Sequence, residues 1–115
     1  MLILIAGPYT SGARTDAERA ANLRAMNEAA LAVFQRGHTP LIGVNAVQPI
    51  IDVAGPGSFD SLMMPICLEL AARCDAVLRI GGPSRGADDE VDAVARAGGR
   101  VFRSLKEIPA GSPRA

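Results

Sequence analysis

The stretch from Gly81 to Glu90 combines the residue types best suited to chemistry on a small bound molecule. Its glycines let the backbone pass close to a ligand, and the helix predicted to follow offers free N–H groups and the positive end of its dipole. Ser84 and Arg85, next to Gly86, add a hydroxyl and a guanidinium that suit a phosphate or a carboxylate. Glu90 supplies a carboxylate that can act as a nucleophile or a base.

The same stretch also has a purely structural interpretation. It is then a glycine-rich turn in which Asp88 and Asp89 favour the start of a helix, because carboxylates stabilise the positive end of the helix dipole. The functional interpretation depends on Glu90, which falls in the first predicted turn of that helix, beside the loop and close to the end of a strand.

A second loop, Gly7–Arg14, contains the only tyrosine of the chain. Gly7 lets the backbone turn sharply before Pro8, and Tyr9 can cover a ring or donate a phenolic hydrogen bond. An ordinary loop with Tyr9 packed at its rim is equally consistent with the sequence. Asn45, at the carboxyl end of another predicted strand, can reach the same pocket or lie in a solvated loop. Neither a G-x-G-x-x-G fingerprint nor a P-loop is present.

Apolar runs that alternate with helical patterns predict the elements that hold these loops. The predicted strands are Leu2–Ala6, Thr39–Val44, Ala76–Ile80 and Arg100–Arg103. The first predicted helix runs from a capping box at Thr15 to Gly37, and its inward face consists of Leu23, Met26, Ala30 and Phe34. Two further helices are predicted over Phe59–Cys74 and Asp88–Ala97. Asn45–Ser58 carries two prolines and two glycines and is predicted to be a long loop.

This alternation of strands and helices predicts an α/β fold with a parallel sheet covered on both faces. Ligands bind such sheets outside the carboxyl ends of the strands. We therefore expect the loops Gly7–Arg14 and Gly81–Glu90 to face one another.

Composition excludes several classes of function. The 115 residues include 12 Lys and Arg and 12 Asp and Glu, so the chain lacks the positive surface of a nucleic-acid binder or a polybasic membrane protein. Three Phe, one Tyr and no Trp provide no row of aromatic rings for stacking bases. The apolar start, Met1–Ala6, is too short to span a bilayer. We expect a small-molecule ligand, with neither a nucleic-acid polymer nor a membrane as partner.

The cysteines and the C-terminal residues add predictions about metal binding, compartment and domain limits. Cys67 and Cys74, with a single histidine, lack the spacing of a zinc site, so we expect no metal and no other cofactor. Both thiols are predicted to be reduced and structural, in a cytoplasmic protein. Residues 1–108 are predicted to form one domain, and 109–115, rich in Pro, Gly and Ser, a flexible tail.

Four sets of residues occur in an order that is familiar from a known family. They are Leu4–Tyr9, Gly37–Pro40, Cys74–Leu78, and Ser84 with Gly86 and Glu90. Together, over roughly residues 2–105, they resemble the nucleoside 2-deoxyribosyltransferase superfamily, and most closely its short, largely uncharacterised relatives. The resemblance implies a flavodoxin-like three-layer sandwich with a central parallel sheet of four or five strands. It also implies a site assembled between copies, and hence a homodimer or a higher homo-oligomer.

The resemblance implies chemistry at the N-glycosidic bond of a nucleoside or a nucleoside 5′-monophosphate. Glu90 matches the glutamate that displaces the base from the sugar C1′ and forms a glycosyl-enzyme ester. Ser84 matches a polar position that is a 5′-phosphate-binding serine in the nucleotide-hydrolysing branch, and with Arg85 it favours a 5′-monophosphate. A second group should protonate the leaving base, for which Asp88 is the candidate and Asp89 nearly as good.

Other interpretations remain open from the sequence. Cys67 stands where the family commonly has an aspartate that holds the sugar, which favours a catalytically inactive nucleotide-binding module. The loop Gly81–Glu90 also resembles the Gly-Gly-x-Gly-Thr-x-x-Glu loop of nucleotide phosphoribohydrolases, a second class of enzyme that releases a base. A purely structural oligomer subunit is a third alternative.

Overall fold

A computed structural model describes residues 1–112 of the chain, and these form four strands, four α-helices and one short 3-10 helix. In chain order the elements are β1 (Leu2–Ala6), α1 (Asp16–Gln35), β2 (Thr39–Leu41), α2 (Gly43–Ala54), α3 (Phe59–Ala71), β3 (Ala76–Arg79), α4 (Arg85–Arg96) and β4 (Arg100–Phe102), followed by the 3-10 helix Leu105–Glu107.

The sheet is all-parallel, with the strand order β2-β1-β3-β4. Residues Ile3–Ala6 of β1 pair with β3 on one side, and Leu2–Leu4 pair with β2 on the other. β2 and β3 lie on opposite sides of β1, so the chain crosses over β1 on its way from β2 to β3. The topological switch point therefore lies between β1 and β3. The predicted α/β fold with a four-stranded parallel sheet is confirmed, and it is consistent with a flavodoxin-like sandwich.

Alternate residues of β1 enter two different hydrophobic clusters, because successive side chains of a strand point to opposite faces. Ile3 and Ile5 pack with Met26 and Val33 of α1. Leu4 and Ala6 pack with Val91 and Val94 of α4 and with the end of α3. Helices therefore cover both faces of the sheet and form the three layers.

A third hydrophobic cluster lies apart from the sheet, between α2 and α3. Val47 and Ile51 of α2 pack there against Met63 and Cys67 of α3. Val44, at the start of α2, packs against both this cluster and the α1 side of the sheet. The end of α3 joins this cluster to the sheet, because Ala71 packs with Leu4 and Ala6.

The prediction that Asn45–Ser58 is a long loop is wrong, since Gly43–Ala54 forms α2 and β2 already ends at Leu41. Pro49 inside the helix cannot donate a hydrogen bond to the preceding turn. The buried side chains of Val47 and Ile51, one turn apart, offset that loss by packing against α3.

The inward face of α1 also differs from the prediction. Val33 is fully buried, whereas Phe34 is 43% exposed, because the next residue of a helix lies about 100° further around its axis. Leu23, Met26 and Ala30 do face the core.

Two hydrogen bonds fix the described part of the predicted C-terminal tail. The backbone N–H of Gly111 donates to the carbonyl of Arg36 at 2.8 Å, and His38 Nε2 lies 2.6 Å from the carbonyl oxygen of Pro109. Residues 113–115 of the predicted tail lie outside the described residues. No helix within residues 1–112 is both long enough and apolar enough to cross a membrane.

Candidate functional site

A cleft of about 200 Å³ lies at the carboxyl ends of β1 and β3, at the switch point of the sheet. The loop after β1 contributes Gly7, Tyr9, Thr10 and Ser11, and α4 with its preceding residue contributes Ser84, Gly86, Ala87 and Glu90. The opposite wall consists of Val44 from α2 and of Phe59, Met63, Met64 and Cys67 from α3. The cleft therefore has one polar wall and one apolar, sulfur-rich wall.

The loops after β1 and β3 meet, as the sequence predicts. Ala6 and Arg79 are partners in the sheet register, so the two loops leave neighbouring positions. The Ser11 hydroxyl donates to Ser84 Oγ at 3.2 Å across the gap. Gly81, with φ of +75°, packs against Pro8 so closely that a Cβ at residue 81 would lie 2.7 Å from the proline Cδ.

Ser84 is the N-cap of α4 and defines where that helix begins. Its Oγ accepts the backbone N–H of Ala87 at 3.2 Å. The helix therefore begins at Arg85, three residues before the predicted start at Asp88, and Glu90 lies in its second turn rather than its first. The Ser84 hydroxyl accepts two hydrogen bonds, and its own hydrogen stays available to a ligand in the cleft.

Glu90 is the ionisable residue on the buried face of α4. Ala87, Glu90, Val91 and Val94 form this face, at the spacing of an amphipathic helix. Glu90 is 8% exposed, and no hydrogen bond from the described residues reaches its carboxyl group, which lines the cleft. Burial raises the pKa of Glu90 from its usual 4.5 to about 8, against the opposing effect of the nearby positive charge of Arg79.

Cys67 and Gly43 meet Glu90 at the inner end of the cleft. A Cβ at residue 43 would lie 2.5 Å from Cys67 Sγ and 3.3 Å from Glu90 Oε2, so glycine leaves the room that both side chains occupy. Burial, and secondly the charge of Glu90, raises the pKa of the Cys67 thiol to about 12. The thiol is therefore neutral at physiological pH, and it contacts the Met63 sulfur at 3.6 Å.

Five of the predicted site residues line the cleft together: Gly7, Tyr9, Ser84, Gly86 and Glu90. Four others do not, namely Pro8, Asn45, Arg85 and Asp88. Pro8 packs under the loop at Gly81, and Arg85 is exposed.

Asn45 points away from the cleft. The prediction placed it at the end of a strand, but it lies in the first turn of α2, where its amide donates to Asn27 Oδ1 of α1 at 2.7 Å. The neighbouring Val44 faces the cleft instead.

Asp88 also lies outside the lining of the cleft. It lies two residues before Glu90, about 200° around the helix axis, and its carboxylate accepts from Arg79 Nε at 3.0 Å. The Asp88 side chain is 62% exposed. Asp88 is thus the counterion of Arg79.

Sequence reasoning missed most of the apolar wall. Phe59, Met63 and Cys67 line the cleft from one face of α3, and their spacing of four residues was a signal for a common helical face. Thr10 and Ser11 of the first loop carried no comparable signal, since hydroxyl side chains are common in solvated loops.

Within residues 1–112, no group of three or more His, Cys, Asp or Glu side chains is arranged to hold a metal ion. Comparison of the chain with protein-family models, with curated proteins and with solved structures found no match. Fold and site together define an α/β protein with a small half-polar cleft and a buried carboxyl group at the switch point of a parallel sheet.

Proposed function

We propose that this protein cleaves or transfers the N-glycosidic bond of a nucleoside or a nucleoside 5′-monophosphate, with Glu90 as the reacting carboxylate. The observation that carries the proposal is the position of Glu90, a carboxyl group without a hydrogen bond from the described residues, buried in a cleft beside Ser84 and the N-terminus of α4. Ligands of parallel α/β proteins bind at this place in the fold.

The proposed reaction has two steps. A Glu90 oxygen forms a bond to the sugar C1′, the C1′–N bond breaks, and the base leaves with the electron pair and takes up a proton. Water or a second base then attacks C1′ and releases the carboxylate. Because Asp88 is paired with Arg79 outside the cleft, solvent at the open side supplies the proton in this proposal.

The walls of the cleft favour a ligand with an anionic part and an apolar ring. The Ser84 hydroxyl and the positive end of the α4 dipole suit a phosphate. Tyr9 and Phe59 offer aromatic surface to a sugar or a base. A volume of about 200 Å³ is below the roughly 300–1,000 Å³ of sites that enclose larger ligands, so the cleft encloses the reacting sugar and leaves part of the nucleotide at its mouth.

The direct test is an assay of base release from nucleoside 5′-monophosphates and from 2′-deoxynucleosides, followed by chromatography. We expect Glu90→Gln to lower turnover by at least about 10³-fold, since it removes the nucleophile. Asp92→Asn, at an exposed position of the same helix, is the matched control for the change in charge. Wild-type turnover in Glu90→Gln would contradict the proposal.

A binding module without catalysis is the second candidate. Cys67 favours this candidate, because its neutral thiol supplies no charge to hold a sugar. The raised pKa of Glu90 favours it too, because only roughly a tenth of the Glu90 carboxyl groups are then ionised at neutral pH. Calorimetric binding of a nucleoside 5′-monophosphate, with no base released over hours at high enzyme concentration, would select this candidate. The phosphoribohydrolase alternative predicts hydrolysis without transfer when a second base is added as acceptor.

The proposal includes self-association in the cytoplasm. Large apolar side chains are exposed on two helices, Leu31 on α1 and Ile50 and Val53 on α2, and they support a contact between copies. The two free cysteines support a reducing compartment. Light scattering at micromolar concentration tests the association, and a monomer would contradict it.

A further inference from the structure

Arg79 is a charged residue at the end of an apolar strand, and its side chain is 9% exposed. Its guanidinium reaches three partners. Nε donates to Asp88 Oδ1 at 3.0 Å, Nη2 donates to the Gly82 carbonyl at 2.9 Å, and Nη1 donates to the Ile80 carbonyl. A planar guanidinium with several donors in fixed directions suits this kind of contact better than a lysine ammonium.

These three contacts connect the parts of the candidate site that must keep their relative positions. Ile80 and Gly82 belong to the loop between β3 and α4, and Asp88 lies in the first turn and a half of α4. Gly81 and Gly82 are exposed and have no side chains to pack into the core, so contacts to the backbone are needed to hold this loop. The Arg79 side chain therefore fixes the loop that leads to Ser84, and with it the start of the helix that carries Glu90.

Arg79 also acts on Glu90 through its charge. Its positive charge lowers the pKa of Glu90, whereas burial raises that pKa. The other titratable groups around the carboxyl group are Cys67 of α3 and Cys74 after it, whose thiol pKa values are raised and which are neutral when Glu90 titrates. Tyr9 lines the cleft from the first loop.

The counterion of Arg79 moderates this effect. Asp88 pairs with the guanidinium from the exposed side, so its negative charge offsets part of the field that reaches Glu90. The pair thus consists of a largely buried cation and a mostly exposed anion. Removal of the cation and removal of the anion should act on Glu90 in opposite directions.

We propose that Arg79 is a positioning residue of the site, which ties the Ile80–Gly82 loop to α4 and supplies the positive charge that favours the ionised, nucleophilic form of Glu90. The kinetic part of this inference rests on the proposed function. The structural and electrostatic part does not, because it concerns the state of Glu90 in the free protein.

Carboxyl ¹³C NMR of glutamate-labelled protein tests the inference without any substrate. Glu90→Gln identifies the Glu90 signal, whose midpoint in the wild-type protein we expect near pH 8. Arg79→Gln should move that midpoint up by about 1 pH unit, and Arg79→Lys should leave it close to the wild-type value because the charge is kept. Asp88→Asn should move it down, since Arg79 then acts without its counterion.

The direction of the changes separates this role from a merely structural one. Loosening of the fold would expose Glu90 and move its midpoint down in both Arg79→Gln and Asp88→Asn. A midpoint that stays or falls in Arg79→Gln overturns the proposal. If that variant does not fold, an unchanged or higher midpoint in Asp88→Asn overturns the proposal, and so does a midpoint in Arg79→Lys that falls as far as the one in Asp88→Asn.

Kinetics add a second measurement. If base release is observed, the pH profile of kcat/KM should move with the Glu90 midpoint in Arg79→Gln, and Arg79→Lys should keep the profile but lose activity through the less ordered loop. If no base release is observed with any nucleotide, the proposed function fails, while the titration still tests Arg79.

Discussion

Replacement of Glu90 by glutamine should change how the stability of the protein depends on pH. Burial raises the pKa of Glu90 from 4.5 to about 8 in the folded chain, so the folded state binds this proton more tightly than the unfolded state. The resulting contribution to stability is fully present below about pH 4.5 and is lost as the pH rises through about 8. Glutamine has a similar shape and stays neutral, so the variant lacks this dependence.

The expected magnitude follows from the two pKa values. The free energy of unfolding changes by about 1.4 kcal/mol for each pH unit over which the proton is held only in the folded state. Between 4.5 and about 8 this amounts to about 5 kcal/mol. That is a large part of the roughly 5–15 kcal/mol that stabilises a typical domain. The variant should therefore resemble the wild-type protein below about pH 4.5, become increasingly the more stable of the two as the pH rises, and lead by about 5 kcal/mol above about pH 8.

Urea unfolding followed by circular dichroism, from about pH 5 to pH 9, measures this difference. Asp89→Asn removes an exposed carboxylate from the adjacent position, so it controls for the change in net charge. The reasoning would be refuted if the free energy of unfolding of Glu90→Gln and of the wild-type protein changed in parallel across this range. Glu90 would then have the same pKa in the folded and the unfolded chain.

Three further outcomes are expected at the same site. Gly43→Ala should lower the free energy of unfolding by about 1–2 kcal/mol, because the close contact with the Cys67 sulfur outweighs the gain in helix propensity. Gly82→Ala, with open space around it, should be nearly neutral in the same urea titration, and equal losses in the two variants would contradict this. Iodoacetamide at about pH 8 should label Cys67 far more slowly in the folded protein than in urea, measured by mass spectrometry in a Cys74→Ser background, and equal rates would contradict the raised pKa. Ser84→Ala should cost about 1 kcal/mol through loss of the α4 cap, and an unchanged urea midpoint would argue against the cap.

The sheet and the meeting of the two loops could be predicted because local patterns determine them. The apolar run Leu2–Ala6 predicts a strand covered on both faces, and Ile3–Ala6 are buried as expected. The connection rules for parallel sheets then place the loops after Ala6 and Arg79 side by side. The place of Glu90 beside these loops was also predictable, since it lies in the helix that directly follows the second loop.

The errors concern residues whose positions depend on tertiary contacts. Pro49 marks a loop in the sequence, but burial of Val47 and Ile51 against α3 makes that segment helical. Without α2, the sequence left Asn45 open between the pocket and a solvated loop, and most of the apolar wall was missed. Ser84 and Asp88 can both begin a helix, and the hydrogen bond from Ala87 to Ser84 shows which one does.

The cleft lies between the sheet and the separate α2–α3 cluster, so a molecule bound in it contacts both at once and acts as a non-covalent cross-link. At a concentration about a hundred times its dissociation constant, such a molecule adds about 2.7 kcal/mol to the stability of the domain. Hydrogen exchange should report where this stabilisation acts. Protection should increase most in α2 and α3, since the bound molecule adds contacts to the wall that these helices form.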